Sequence, residues 1–239
     1  MPISNFIYNA LTFPAQAAGT LLFGSNTDTP FSHLIASGVD PLRVLMLTSN
    51  PRNGGTARYS DEFFAMSRGL EASSLKDRYH APYEARTPLE EIPRQLDLYK
   101  PQILHFSGHP KQTGLCFLSA EARSKCSAQG DGGEVPQQVD GPAFNRVLAH
   151  ADSVKLVVFG AHYDDGDAQQ LANMMRCSVI VLGSGDRAPL VFSEEFYRAI
   201  GNSVGIEKAV QHASDLVRLS SRDFKVSLFV PGASSPIVI

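Results

Sequence analysis

The sequence predicts an α/β protein in three layers, a mostly parallel central sheet flanked by helices. Three observations carry this. Short, largely apolar runs, Leu42–Ser49, Gln102–Phe106, Lys155–Ala161 and Ser178–Leu182, read as strands buried on both faces. The stretches between them place apolar residues at helical spacing and are long enough to act as crossovers. A length of 239 residues with 43% hydrophobic content allows one sizeable core and an appendage.

From Met1 to Val39 the only charged side chain is Asp28, and Phe6, Tyr8, Phe13, Phe23 and Phe31 stand among small residues. Residues 1–40 are therefore set apart as an apolar arm. It either packs its aromatics on the core or offers a surface for self-association or a partner. Its lack of cations argues against a membrane surface. Residues 41–222 are expected to form the main domain, and 223–239 a C-terminal strand and tail.

Leu42–Ser49 opens that domain as a buried strand, followed by the polar loop Asn50–Gly55. Tyr59–Ser73 follows as a helix, with Phe63, Phe64, Met66 and Leu70 at helical spacing. Arg78–Ala85 reads as a short strand. Thr87-Pro88-Leu89-Glu90 has the pattern of a capping box with proline at the first helical position, opening a helix to about Tyr99. After the strand ending at Phe106 comes another at Gly114–Ser119, then an exposed loop at Ala120–Gly141 rich in Gly, Gln and Ser. Pro142–Ala151 reads as a helix, Lys155–Ala161 as a strand, and Asp167–Met175 as a helix with Asp167 as N-cap. Ser178–Leu182 is the next strand. Ser193–Ile200 and Ile206–Leu219 are amphipathic helices, and Phe224–Val230 closes the chain as a strand.

A formal charge of -3 with no Lys/Arg cluster removes the electrostatic footprint of nucleic-acid binding and of attachment to anionic lipid. Partners are expected to be proteins, peptides or small molecules. Cys116, Cys126 and Cys177 lie in unlike contexts without a CxxC pair, so neither a disulfide framework nor a thiolate zinc site is indicated. The N-terminus lacks the basic start of a secretory peptide, and no run is long and apolar enough to span a bilayer. These features predict a cytoplasmic protein.

Two histidines follow strands where open α/β sheets place their chemistry, beyond the C-terminal ends. His109 ends Ile103-Leu-His-Phe-Ser-Gly-His109, and His162 follows the strand that ends at Ala161. His105, within the first of these strands, is expected to face the core or a neighbouring helix.

From about Leu42 to Leu219 the ordered motifs resemble the CHAT branch of the caspase-like cysteine peptidases. The resemblance rests on Val44-Leu-Met-Leu-Thr-Ser-Asn-Pro51, on Pro101-Gln-Ile-Leu-His-Phe-Ser-Gly-His109, and on Gly114-Leu-Cys-Phe-Leu118. It continues through Leu156-Val-Val-Phe-Gly-Ala-His-Tyr163, Gly185-Asp186, and Phe192-Ser-Glu-Glu-Phe-Tyr-Arg-Ala-Ile-Gly201. It implies a caspase-like three-layer sandwich in which His109 holds the position of the catalytic base. The nucleophilic cysteine of the family aligns with His162, the preceding asparagine with Gly160, and the glycine after the base with Pro110. Asp186 resembles the floor of a pocket for a Lys or Arg side chain, with Ser107 and Gly108 as further candidate substrate contacts; Arg187 beside it could neutralise that charge.

Peptide hydrolysis by such a site needs a thiolate whose proton an imidazole draws off. Imidazole attack on an unactivated amide is very slow. Cys177 precedes its strand and is roughly 15 Å or more from the opposite sheet edge. Cys116 reads as core, and Cys126 could reach a site only if its loop folds back. The leading expectation is a catalytically degenerate pseudopeptidase that binds a protein or peptide; the resemblance implies a regulatory or effector role in bacterial defence or cell death. The alternatives are an active hydrolase with an unusual nucleophile, a metal-assisted site from His109, His162 and Asp164 or Asp165, and a small-molecule sensor. No cofactor is expected.

Overall fold

A computed structural model describes residues 41–49, 59–84, 87–108, 115–118, 136–160, 163–183 and 187–239. The apolar arm, Cys126, His109, His162 and Asp186 lie outside the described residues.

In chain order the elements are β1 (Leu42–Ser49), α1 (Tyr59–Glu71), β2 (Tyr79–His80), β3 (Tyr83–Glu84), α2 (Ile92–Tyr99), β4 (Ile103–Gly108), β5 (Leu115–Leu118) and β6 (Pro136–Val139). They continue with α3 (Gly141–Leu148), β7 (Leu156–Phe159), α4 (Asp165–Met175), β8 (Ser178–Leu182), α5 (Ala188–Gly201), α6 (Ile206–Arg218), β9 (Val226–Phe229) and β10 (Ile237–Val238). Among the described residues the main sheet has eight strands in the order β10-β9-β8-β7-β4-β1-β2, with β3 also paired to β1. Strands β1, β2, β3, β4, β7 and β8 run parallel, whereas β9 and β10 pair antiparallel at one edge.

Alternation along the strands divides the core between two faces. Val44 and Met46 of β1, Val158 of β7 and Ile180 of β8 face Met66 and Leu70 of α1, Phe192 and Phe196 of α5, and Val210 and Ala213 of α6. Leu45, Leu47, Phe106, Phe159 and Val179 face Ile92 and Leu96 of α2, Phe144 and Leu148 of α3, and Leu171 of α4. Three layers follow because a sheet buried on both faces needs helices on both. Helix α6 shows the required pattern, burying Ile206, Ala209, Val210, Ala213 and Val217 along one stripe. Helices α1 and α5 approach so closely that a Cβ on Gly69 would stand 2.2 Å from the Glu194 carbonyl oxygen.

Several sequence expectations are corrected. The Arg78–Ala85 strand is broken into β2 and β3 around Ala81-Pro82, since proline has no N–H to give the ladder. The box at Thr87 does not cap a helix: the Thr87 hydroxyl donates to the Glu84 carbonyl, and a 3₁₀ turn at Leu89–Glu91 leads into α2. The N-cap of α4 is Asp164, not Asp167; its carboxylate accepts from the Gly166 and Asp167 amides. The Ala120–Gly141 stretch contains β6, which pairs antiparallel with β5 in a separate two-stranded sheet. Helix α5 begins at Ala188, earlier than expected, because Pro189 fits the first turn where no amide partner is needed.

Candidate functional site

Strands β1, β4 and β7 all end at the same edge of the sheet, the edge where the order reverses around β1. Phe106 of β4 pairs with Phe159 of β7, three residues short of His109 and of His162 respectively. The topology thus makes neighbours of the two strands that lead into the two histidines.

Behind this edge, in the α1/α5 layer, lies a buried polar cluster. Glu62 occupies the first turn of α1, where the helix N-terminus favours negative charge. His105 and Ser107 are two residues apart on β4 and so share its α1/α5 face. His105 Nε2 lies 2.9 Å from Glu62 Oε1, and the Ser107 hydroxyl donates to Glu62 Oε2 at 2.5 Å. The Ser193 hydroxyl of α5 makes a longer 3.5 Å contact with Oε1. On its far side, His105 Nδ1 meets the Tyr197 hydroxyl of α5 at 2.9 Å, with the two rings stacked.

Burial opposes ionisation of Glu62, but the neighbouring His105 charge and hydrogen bonds from His105, Ser107 and Ser193 together hold its carboxyl below the ordinary carboxylate range. An ionised carboxylate only accepts, so the facing His105 nitrogen carries a proton. Burial first and the Glu62 charge second push the Tyr197 phenol well up, keeping it a neutral hydroxyl.

Gly160, the residue after β7, completes the cluster. A Cβ there would stand 2.4 Å from Glu62 Oε1 and 2.7 Å from Oε2, so the carboxylate occupies the space a side chain would need. One carboxylate therefore abuts Ser107 on β4 and Gly160 after β7, each two residues before one of the candidate histidines.

This is not a serine–histidine–acid arrangement. Ser107 donates to the carboxylate and not to the ring, and both ring nitrogens already have partners. Ser107 is buried among these groups, and Gly108 ends β4 with its backbone paired to Ser49. Asp164, offered by the sequence as a metal ligand, spends its Oδ1 on capping α4. Among the described residues no group of three His, Cys, Asp or Glu could hold a metal ion. Cys177 is buried just before β8, and burial pushes its thiol up to about 12 despite nearby Lys155, which makes it an inert core residue.

Sequence reasoning missed Glu62, Ser193 and Tyr197. A signal for Glu62 exists: with Met66 and Leu70 it forms an i, i+4, i+8 row, which places an acid on the buried stripe of α1. The row chosen instead contained Phe64, which is 56% exposed.

No family model matches the chain, and no curated relative matches it. Solved structures do. One is a secreted C11 cysteine protease from Bacteroides thetaiotaomicron, determined in complex with an irreversible peptide inhibitor; its TM-score is 0.50 at 12% identity. The match covers 80% of this chain and 66% of that protease. This is a caspase-like fold. A pyridoxal kinase from Staphylococcus aureus also matches over 83% of this chain and 98% of its own, at 11% identity, but its TM-score of 0.35 carries no argument. The mostly parallel sheet between two helical layers described above fits that fold. Among the described residues no helix is long and apolar enough to cross a membrane.

Proposed function

We propose that this chain is a catalytically degenerate caspase-like protein of the CHAT type, which binds a protein or peptide at the C-terminal edge of β4 and β7 without cutting it. One observation carries the reading: β7, whose continuation in this fold would bear the nucleophile, is the neighbour of β4, and the sequence beyond it supplies His162 in place of a cysteine. The only cysteine with a described side chain, Cys177, is buried at the opposite edge of the sheet and cannot serve the site. Loss of the thiol removes acyl transfer but leaves intact the surfaces that grip an extended peptide. Asp186, just before α5, supports a preference for a Lys or Arg side chain. A regulatory or effector role in bacterial defence or cell death, in the cytoplasm, belongs to the same reading, with residues 1–40 as the surface for self-association.

The test uses the full chain with a library of peptides carrying single Lys or Arg residues, scored for binding and for cleavage. Binding without turnover is expected, with turnover after basic residues appearing in His162→Cys. Turnover by the unaltered chain would overturn the proposal, as would failure to bind any member of the library or any protein partner. A chelator added in parallel separates metal-assisted turnover from the rest.

A further inference from the structure

Glu62 reaches β4, the end of β7 and α5 together. Its Oε2 accepts from Ser107, its Oε1 accepts from His105, and both oxygens fill the space over Gly160. Ser193 and Tyr197 bring in α5, the first through Glu62 itself and the second through His105. These three elements lead into, or follow, the three positions singled out in the sequence: His109 two residues after Ser107, His162 two after Gly160, and Asp186 immediately before Arg187 and α5.

A buried carboxylate is costly unless its partners are complete, so its position is set by all of them at once. The reverse holds as well: Ser107 and His105 of β4 and Ser193 of α5, bonded to one buried anion, cannot move apart independently, and Gly160 at the end of β7 is packed against the same anion. The Gly160 amide donates to the Phe106 carbonyl at 2.9 Å, the last backbone bond between β7 and β4 before both chains leave the described sheet. The carboxylate is packed against the residue that makes this bond. A Cβ at 160 would displace the anion.

We infer that Glu62 is a positioning residue of the binding edge: hydrogen-bonded to β4 and α5 and packed against Gly160 at the end of β7, it holds the ends of these three elements together. The inference rests on the reading of that edge as a peptide-binding site, and Glu62 lies outside every motif singled out in the sequence. Glu62 touches no bound peptide; it acts through Ser107, Gly160 and His105.

The test compares Glu62→Asp, Glu62→Gln and Gly160→Ala in the full chain, at a temperature where each variant is folded. Two measurements are made: hydrogen exchange of the Gly160 amide against that of Val158 in the middle of β7, and affinity for a Lys- or Arg-containing peptide. Glu62→Asp withdraws the carboxylate by one methylene and Gly160→Ala pushes it aside. Each is expected to speed exchange at Gly160 by about tenfold or more while leaving Val158 unchanged, and to weaken peptide binding by about tenfold. Glu62→Gln keeps the reach and is expected to stay within about threefold of the wild type on both measurements.

Unchanged protection of the residue-160 amide in folded Glu62→Asp, or in Gly160→Ala should the aspartate variant not fold, would overturn the inference. So would variants whose unfolding midpoint falls while both Gly160 exchange and affinity hold, since that is the behaviour of a purely stabilising residue. A wild type that binds no peptide, in variants whose Gly160 exchange still responds, would remove the binding reading and leave the positioning role standing.

Discussion

On one face of β4, Phe106 meets Phe117 and Phe144 at 5.4 Å between ring centroids, and Phe159 stacks on Tyr163 at 4.0 Å. On the other face, at the same end of the same strand, His105 and Ser107 meet a carboxylate. The two faces are equally buried but respond to change by different rules. Apolar rings lose contact area in proportion to what is removed, and neighbours can partly relax into the gap. A hydrogen-bonded anion has no partial state, since removing it leaves several buried donors without an acceptor. The aromatic face supplies packing against α2, α3 and α4, whereas the polar face fixes geometry at the edge where β1, β4 and β7 end.

Replacement of Glu62 by alanine should break this contrast most visibly. It orphans His105, Ser107 and Ser193 together and is expected to cost about 3–5 kcal/mol in denaturant unfolding. A cost under about 1 kcal/mol would mean that the polar face relaxes as easily as the aromatic one. Phe144→Leu, on the aromatic face, keeps an apolar group of somewhat smaller volume and is expected to cost only about 1–2 kcal/mol by the same measurement.

Acidity separates the faces further. The folded carboxyl of Glu62 lies below its ordinary value of 4.5, so its contribution is complete above that pH and is lost as pH falls through the lower folded value. The stability difference between the wild type and Glu62→Gln should therefore shrink below about pH 4.5, while the difference for Phe144→Leu stays level across the same range. Equal slopes for the two variants would show that Glu62 is not ionised in the fold. The smallest effect is expected from Asp164→Ala, which removes two capping hydrogen bonds at exposed amides and should cost about 1 kcal/mol in thermal unfolding.

The buried parallel strands were legible because each carries its evidence locally. Leu42–Ser49 and Ser178–Leu182 are apolar runs that match β1 and β8 residue for residue. Helix α6 was legible from its period. Where a proline or a turn residue had to be assigned a partner, local reading failed: Thr87 faces back to Glu84, and the cap of α4 is three residues earlier than expected. Strand β6 was missed because Pro136-Gln-Gln-Val139 carries no apolar alternation; its strand character comes from pairing with β5.

The site divides in the same manner. The strands leading to His109 and His162 could be read from their own residues, whereas their adjacency was legible only through the family resemblance, since it depends on the order in which the strands pair. The His105–Glu62–Ser107 cluster spans 45 residues of chain between Glu62 and Ser107, and nothing in either segment names the other. Hydrophobic period and chain order alone determined that this protein would fold as a parallel sheet between helices, because those signals are short-range and additive. Only the tertiary structure decided which acid would lie beneath the ends of β4 and β7, because the energy of a buried charge depends on partners that meet only once the sheet and α1 have packed.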